Sequence, residues 1–222
     1  MSEDEETSVS LTTIIQGTMI MMATFIAYFG YTSCMDGKFV CTWKDFPDIS
    51  HVMGGPPLNK LYAMMLTIYS CTKQAEARAY NDKLSGFVSP LVRGVLLLAA
   101  TASFIFGPCI GFWDCYYNMD THQFVTQIFT IGEIAYLFII IYLLATNRDQ
   151  FEASASPIIN RCILGLVLVT IDGICMSLGP DVMGISIAQI GEWIAFYIDF
   201  FLRFNLAYIM RYKTVVRPIK QE

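Results

Sequence analysis

The chain has 222 residues, of which 55% are hydrophobic and only 15% are charged, and its formal net charge is -5. An ordinary soluble domain carries about 25% charged residues, so this composition excludes a soluble globular protein. Nucleic-acid binding has no support either, because the chain lacks a basic domain. We therefore predict an integral membrane protein whose partners are membrane lipids.

Six apolar segments follow one another along the chain, each near the roughly 20 residues that a membrane-spanning helix needs. They cover 11–33, 57–80, 87–113, 122–146, 158–180 and 185–210. The pattern predicts an all-α, polytopic bundle of six transmembrane helices that forms a single domain over 11–212. A disordered acidic tail is expected at 1–10 and a basic cytosolic tail at 213–222.

The distribution of Lys and Arg predicts the orientation, because cytosolic loops carry an excess of these residues. Most of them lie on the face that both termini share, whereas the opposite face has only Lys38, Lys44 and Lys60. We therefore expect both termini in the cytosol. The loops at 34–56, 114–121 and 181–184 should lie on the exoplasmic side.

Cysteines near the predicted exoplasmic face are candidates for disulfides, since an oxidising lumen permits them. The candidates are Cys34, Cys41, Cys109 and Cys115. Four cysteines allow three pairings, and the sequence does not separate them. A metal site is not predicted, because no C-x-x-C spacing is present.

The second span continues into a charged helical segment that begins at Lys73. We expect Lys73 near the inner headgroups, where a lysine side chain can snorkel to water. Clustered bases just cytosolic of a span attract anionic lipid, although a plain interfacial helix end is the alternative. The candidate phosphoinositide site comprises Lys73, Arg78, Lys83, Arg211 and Lys213.

Ionisable residues within spans are costly to insert and therefore need a partner or a function. Asp199 and Arg203 are spaced i, i+4, and Arg93 lies at a similar depth, so we expect a buried cluster of these three. Interhelical hydrogen bonding by the remaining carboxyls is the alternative to a ligand cavity. The candidates for a lipid-binding or polar cavity are Arg93, Glu133, Asp172, Glu192, Trp193, Asp199 and Arg203.

Catalytic motifs are missing from the sequence. A three-histidine zinc centre is excluded because the chain has only His51 and His122, although a site of two histidines and a carboxylate stays open. No G-x-S-x-G or glycine-rich phosphate loop is present. We predict no catalytic residue, and no cofactor other than a bound phospholipid.

Residues 46–57 and the helix that follows resemble the Pro-x-Ile-Ser element that precedes the second span in DRAM-like proteins. This family includes damage-regulated autophagy modulators, a Golgi factor for remodelling GPI-anchored proteins, and plasma-membrane organisers of a phosphatidylinositol 4-kinase. The matching loop residues are Pro47, Asp48, Ile49, Ser50, His51 and Pro56, and His122 and Glu192-Trp193 are similar to further family positions. The resemblance implies six spans, cytosolic termini and a role in lipid organisation or membrane trafficking.

The loop from Asp48 to Pro57 is expected to fold over the exoplasmic mouth of the bundle, because Asp and Ser favour local turns and proline presets a helix start. A mouth closed over Glu192 could hold a lipid headgroup. The alternative is a plug that only seals helix ends.

These observations favour a non-catalytic membrane protein that binds or organises lipid and supports trafficking or lipid remodelling. Two alternatives stay open. The chain could be an accessory subunit of a larger membrane complex, respiratory for example, with other integral membrane subunits as partners. It could also be a lipid acyltransferase or hydrolase. The family implies the endomembrane system, the lysosome or the plasma membrane, whereas a respiratory subunit would lie in the mitochondrial inner membrane.

Overall fold

The computed structural model describes the backbone of residues 3–42, 45–182 and 185–214, and side chains over 10–42, 45–175 and 188–214. Within these ranges the chain is all-α, and the only β-type pairing is an isolated bridge between Phe151 and Thr214. The helices are α1 Glu3–Met35, α2 Ile49–Met53, α3 Leu58–Lys83, α4 Pro90–Phe112, α5 Met119–Thr146, α6 Ser156–Val182 and α7 Ile185–Ile209. The all-α prediction is therefore confirmed for the described residues.

Within the described residues, four stretches are long and apolar enough to cross a membrane, which fits an integral membrane protein. They are Ser10–Met35, Pro90–Phe112, Met119–Thr146 and Ala153–Cys175. Helix α3 is too polar to qualify, and α7 is described with its side chains only from residue 188, over a stretch that carries Glu192, Asp199 and Arg203. Length and apolarity alone therefore support four of the six predicted spans.

The six long helices pack in a ring, in the order α1, α3, α4, α5, α6, α7 and back to α1. Contacts are extensive between α3 and α4, between α4 and α5, and between α6 and α7. Helices α5 and α6 touch much less. Contacts are similarly few between α1 and α3, so the ring is loosely packed at these two places.

Local sequence signals explain where several helices begin. The side chain of Asp48 accepts from the backbone N–H of His51 and caps α2. Ser89 caps α4, with Pro90 in its first turn, and Asn118 caps α5. Each cap satisfies a backbone N–H that has no partner within its helix.

The ends of the chain differ in part from expectation. Helix α1 extends back to Glu3, so residues 3–10 of the predicted disordered tail are helical. Most of the basic tail at 213–222 lies outside the described residues. Its first part is described, and the backbone carbonyl of Lys213 accepts from the N–H of Glu152.

The cysteine candidates separate into one disulfide and two thiols. Cys34, at the end of α1, is joined to Cys41 in the following loop. Cys109 and Cys115 are free thiols. The disulfide ties the start of the 34–56 loop to the end of α1.

Glycine permits the close approach of α3 and α4. A Cβ placed on Gly111 would lie 2.5 Å from the backbone nitrogen of Ala63 and 2.6 Å from its Cα. Backbone atoms cannot give way as a flexible side chain can. Gly111 is therefore required by helix packing, whereas a Cβ placed on Gly94 of the same helix would meet nothing within 4 Å.

We expect Gly111→Ala to destabilise the fold by about 1–3 kcal/mol, the usual cost of overpacking. Gly94→Ala is the matched control and should leave stability unchanged or raise it slightly, because alanine favours helix. Thermal melting of both variants in mild detergent measures the difference. Equal melting temperatures would contradict the close contact between α3 and α4.

Candidate functional site

A network of buried charged side chains joins α3, α5 and α7. Lys73, Glu76 and Arg203 are 0% exposed, and Glu133 is 7% exposed. Lys73 Nζ lies 2.6 Å from Glu133 Oε1, which links α3 to α5. Lys73 also donates to Ser103 Oγ on α4 at 2.8 Å.

The second buried pair links α3 to α7. Arg203 Nη2 lies 3.5 Å from Glu76 Oε2, and the Tyr136 hydroxyl donates to Glu76 Oε1 at 2.7 Å. The Arg203 guanidinium also stacks over the Tyr69 ring, with 4.3 Å from Cζ to the ring centroid. Glu76 therefore has both an ion-pair partner and a hydrogen-bond donor, as a buried carboxylate requires.

Tyr69 connects this network to two carboxyls. Its hydroxyl lies 2.5 Å from Asp199 Oδ2 and 3.2 Å from Glu133 Oε2, and donates to them. The other oxygen of Asp199, Oδ1, is shielded from solvent and has no hydrogen-bond partner in the part of the chain that the structure describes. An acceptor of this kind is costly to leave unsatisfied.

The predicted cluster of Arg93, Asp199 and Arg203 is wrong. Arg93 lies in the first turns of α4, so its guanidinium reaches the α3–α4 connection and donates to the carbonyls of Val88 and Asn81. Arg203 pairs with Glu76 instead of with its helical neighbour Asp199. Arg93 therefore does not belong to the cavity.

The phosphoinositide prediction also needs correction. Lys73 is buried against Glu133 and cannot reach a headgroup. Lys83 donates to the carbonyls of Met210 and Tyr212 beyond the end of α7. The structure therefore uses two of the five predicted bases internally. The remaining three are exposed and are Arg78, Arg211 and Lys213.

A cavity of about 250 Å³ adjoins the charged network. Helices α3, α5, α6 and α7 surround it, and Ser50 of α2 lies at one end. Its polar lining residues are Ser50, Thr126, Thr130, Glu133, Glu192 and Asp199. Three of the predicted cavity carboxyls are thus brought to one place.

Two other predicted cavity residues lie beside the cavity. Asp172 is partly buried on α6, and the lining residues of that helix are Val169 and Gly173. The indole N–H of Trp193 donates to the backbone carbonyl of Pro47 at 2.9 Å. Trp193 therefore anchors the loop next to the cavity and does not line it.

The loop at 47–57 covers this end of the bundle. Ile49, Val52 and Met53 of α2 are buried. The backbone N–H of Ile49 is within hydrogen-bonding reach of the Glu192 carboxyl. The predicted position over Glu192 therefore agrees with the geometry, and Pro47 and Ser50 belong to the cover.

The α4–α5 connection holds the other side of this cover. The Cys115 thiol donates to the carbonyl of Ser50 at 3.4 Å, and the Tyr116 hydroxyl donates to the carbonyl of His51 at 3.2 Å. Burial raises the pKa of the Cys115 thiol to about 11, so it stays protonated and can donate. Sequence reasoning missed these anchors, since nothing in the loop marks its distant partner.

Both histidines serve local structure. His51 Nδ1 lies 2.7 Å from Asp48 Oδ1 within the same turn. His122 Nδ1 lies 2.8 Å from the carbonyl of Trp113 near the end of α4. In the ranges with described side chains, no three His, Cys, Asp or Glu residues are placed to hold a metal ion. The two-histidine site left open by the sequence is not assembled there.

No protein-family model, curated protein or solved structure matches the chain. The cavity, its cover and the charged network therefore carry the functional proposal.

Neutralising one member of either buried ion pair should strongly destabilise the protein, because the remaining charge is then buried without a partner. We expect Glu133→Gln to cost about 3–5 kcal/mol, and the double variant with Lys73→Met to recover a large part of that loss. Thermal melting of the two single variants and the double variant gives the coupling energy. Additive losses would show that Lys73 and Glu133 do not interact.

Proposed function

We propose that this protein is a non-catalytic lipid-binding membrane protein of the DRAM-like family, and that its cavity holds a lipid headgroup. The cavity next to the buried charges carries the proposal. Binding sites for small molecules are mainly apolar and contain a few well-placed polar groups. Here the carboxyls of Glu133, Glu192 and Asp199 supply the polar groups within walls that are largely apolar.

We propose that the cavity opens to the surrounding bilayer between α5 and α6. Ile134 lines it from α5 and is 55% exposed, and Leu137 and Val169 continue the apolar wall between α5 and α6. Helices α5 and α6 contact each other less than most neighbouring pairs in the ring. A lipid headgroup could occupy the cavity while its acyl chains stay in the membrane beside α5 and α6.

The topology we propose has six spans, with α3 and α7 as the two additional ones. They contain 26 and 25 residues, so at about 1.5 Å per residue both exceed a hydrocarbon core of roughly 30 Å. Lys73, Glu76 and Arg203 face protein and are paired there, as expected of charges within spans. Pairing of this kind lowers the cost of placing these three charges inside a bundle that spans the membrane.

An even number of spans puts both termini on one side, and the charge distribution makes that side cytosolic. The disulfide between Cys34 and Cys41 supports an exoplasmic position for the loop after α1, because disulfides persist in oxidising compartments. The family resemblance adds a role in membrane trafficking or lipid remodelling. On the same resemblance we propose the endomembrane system, the lysosome or the plasma membrane as its location.

Native mass spectrometry of gently extracted protein tests this function. We expect the protein to retain phospholipid, and Ala195→Phe to abolish retention, because Ala195 lines the cavity and a phenyl ring would fill it. Ile194→Phe is the matched control, since Ile194 is 46% exposed and lies outside the cavity lining. The control should retain lipid like the unmodified protein.

Two results would contradict the proposal. Equal lipid retention by both variants would place the lipid elsewhere. If the extracted protein carries no lipid but carries another membrane protein in fixed stoichiometry, an accessory subunit would be favoured instead.

A further inference from the structure

We propose that the cavity selects a lipid that carries a primary ammonium group, such as an ethanolamine phospholipid or a sphingoid base. This inference rests on the proposed function, because it names the chemical class of headgroup that the same cavity would hold. Four features of the cavity support it: the sign of its charges, its unsatisfied acceptors, its aromatic walls and its size.

Apart from the tyrosines, the ionisable side chains that line the cavity are all acidic. Glu133, Glu192 and Asp199 line it, and its described lining includes no Lys or Arg. The two buried cations are already paired, Lys73 with Glu133 and Arg203 with Glu76. Glu192 and Asp199 have no such ion pair within the part of the chain that the structure describes.

This distribution discriminates between headgroups. A phosphoinositide or another anionic group would meet carboxyl oxygens at close range and no available cation, which is repulsive in a poorly hydrated site. An ammonium group would reduce the excess of carboxyls over cations. The cavity therefore favours a cationic group over the anionic lipid expected at the cytosolic bases.

Hydrogen-bond acceptors without partners distinguish a primary ammonium from a quaternary one. Asp199 Oδ1 and Thr126 Oγ1 belong to lining residues, are both shielded from solvent and have no hydrogen-bond partner among the described residues. A primary ammonium has three N–H donors, as in lysine, whereas a quaternary ammonium has none. Only the primary group can satisfy these oxygens directly.

Aromatic side chains complete the environment. Tyr62, Tyr69, Phe129 and Phe196 line the cavity, and the ring centroids of Tyr69 and Phe129 lie 6.3 Å apart. A cation near the face of such rings is attracted by their negative face. The walls therefore stabilise the same charge that the carboxyls favour.

The size of the cavity sets what part of a lipid enters. At about 250 Å³ it is somewhat smaller than typical small-molecule sites of roughly 300–1,000 Å³. It accommodates a headgroup and excludes the acyl chains. These chains would leave along the wall that includes Ile134, where the cavity reaches the outer surface of α5.

The test is a methylation series with constant acyl chains. Protein is reconstituted in nanodiscs that contain equal amounts of phosphatidylethanolamine, its N,N-dimethyl derivative, phosphatidylcholine and phosphatidylglycerol, and bound lipids are identified by native mass spectrometry. We expect phosphatidylethanolamine to be enriched about tenfold over phosphatidylcholine, the effect of about one charge-assisted hydrogen bond. The dimethyl lipid should fall between them.

Two variants and a control assign the selectivity to the cavity. Asp199→Asn and, separately, Glu192→Gln should each reduce the enrichment to about twofold or less. Glu192→Gln leaves the Tyr69 contacts intact, so it remains informative if Asp199→Asn does not fold. Asp172→Asn makes the same chemical change beside the cavity and should keep the tenfold enrichment.

The outcomes separate the two proposals. Retained lipid with no preference, or with phosphatidylcholine or phosphatidylglycerol enriched, would overturn the ammonium inference and leave headgroup binding standing. A protein that retains no lipid would overturn both. A parallel nanodisc series with sphingosine and phosphatidylethanolamine in equal amounts distinguishes the two sources, and enrichment of either supports the inference.

Discussion

The buried ion pairs between α3, α5 and α7 are the interaction on which the rest of the structure depends. In the six-span topology that we propose, each charge costs at least about 2.5 kcal/mol to place in the membrane interior, so Lys73, Glu76, Glu133 and Arg203 must find one another when the helices pack. Lys73 and Glu76 are on α3 and their partners are on α5 and α7. This requirement sets the position of α3 relative to both helices.

Such pairs are weak evidence for stability, because well-packed apolar residues can often replace them without loss. Their position suggests another role here. Glu133 is both a partner of Lys73 and a wall of the cavity, and Tyr69 holds Asp199 beside it. The network therefore fixes the carboxyls that give the cavity its charge.

Sequence periodicity and apolar length were sufficient to predict the long helices. The predicted segment 57–80 corresponds to α3 Leu58–Lys83, and 185–210 corresponds to α7 Ile185–Ile209.

The inward face of α7 was also predictable, because Glu192 and Asp199 had to avoid lipid. The partner of Arg203 was not predictable. Its sequence neighbour Asp199, four residues away, was the expected partner, whereas the observed partner Glu76 lies far away in the sequence. The position of Lys73 was missed because depth along one helix does not reveal a carboxyl on another. The loop over the mouth was anticipated from its turn residues, but its anchors, Cys115 and Tyr116, belong to a distant connection.

The central claim is that the charged network forms one wall of a headgroup site that is open to the bilayer. A cryo-electron microscopy map tests this claim most directly, with the protein in nanodiscs that contain phosphatidylethanolamine. We expect density between Glu133, Glu192 and Asp199 that continues past Ile134 toward the lipid beside α5 and α6. A cavity closed by its own side chains, or density confined to the outer surface of the helices, would contradict it.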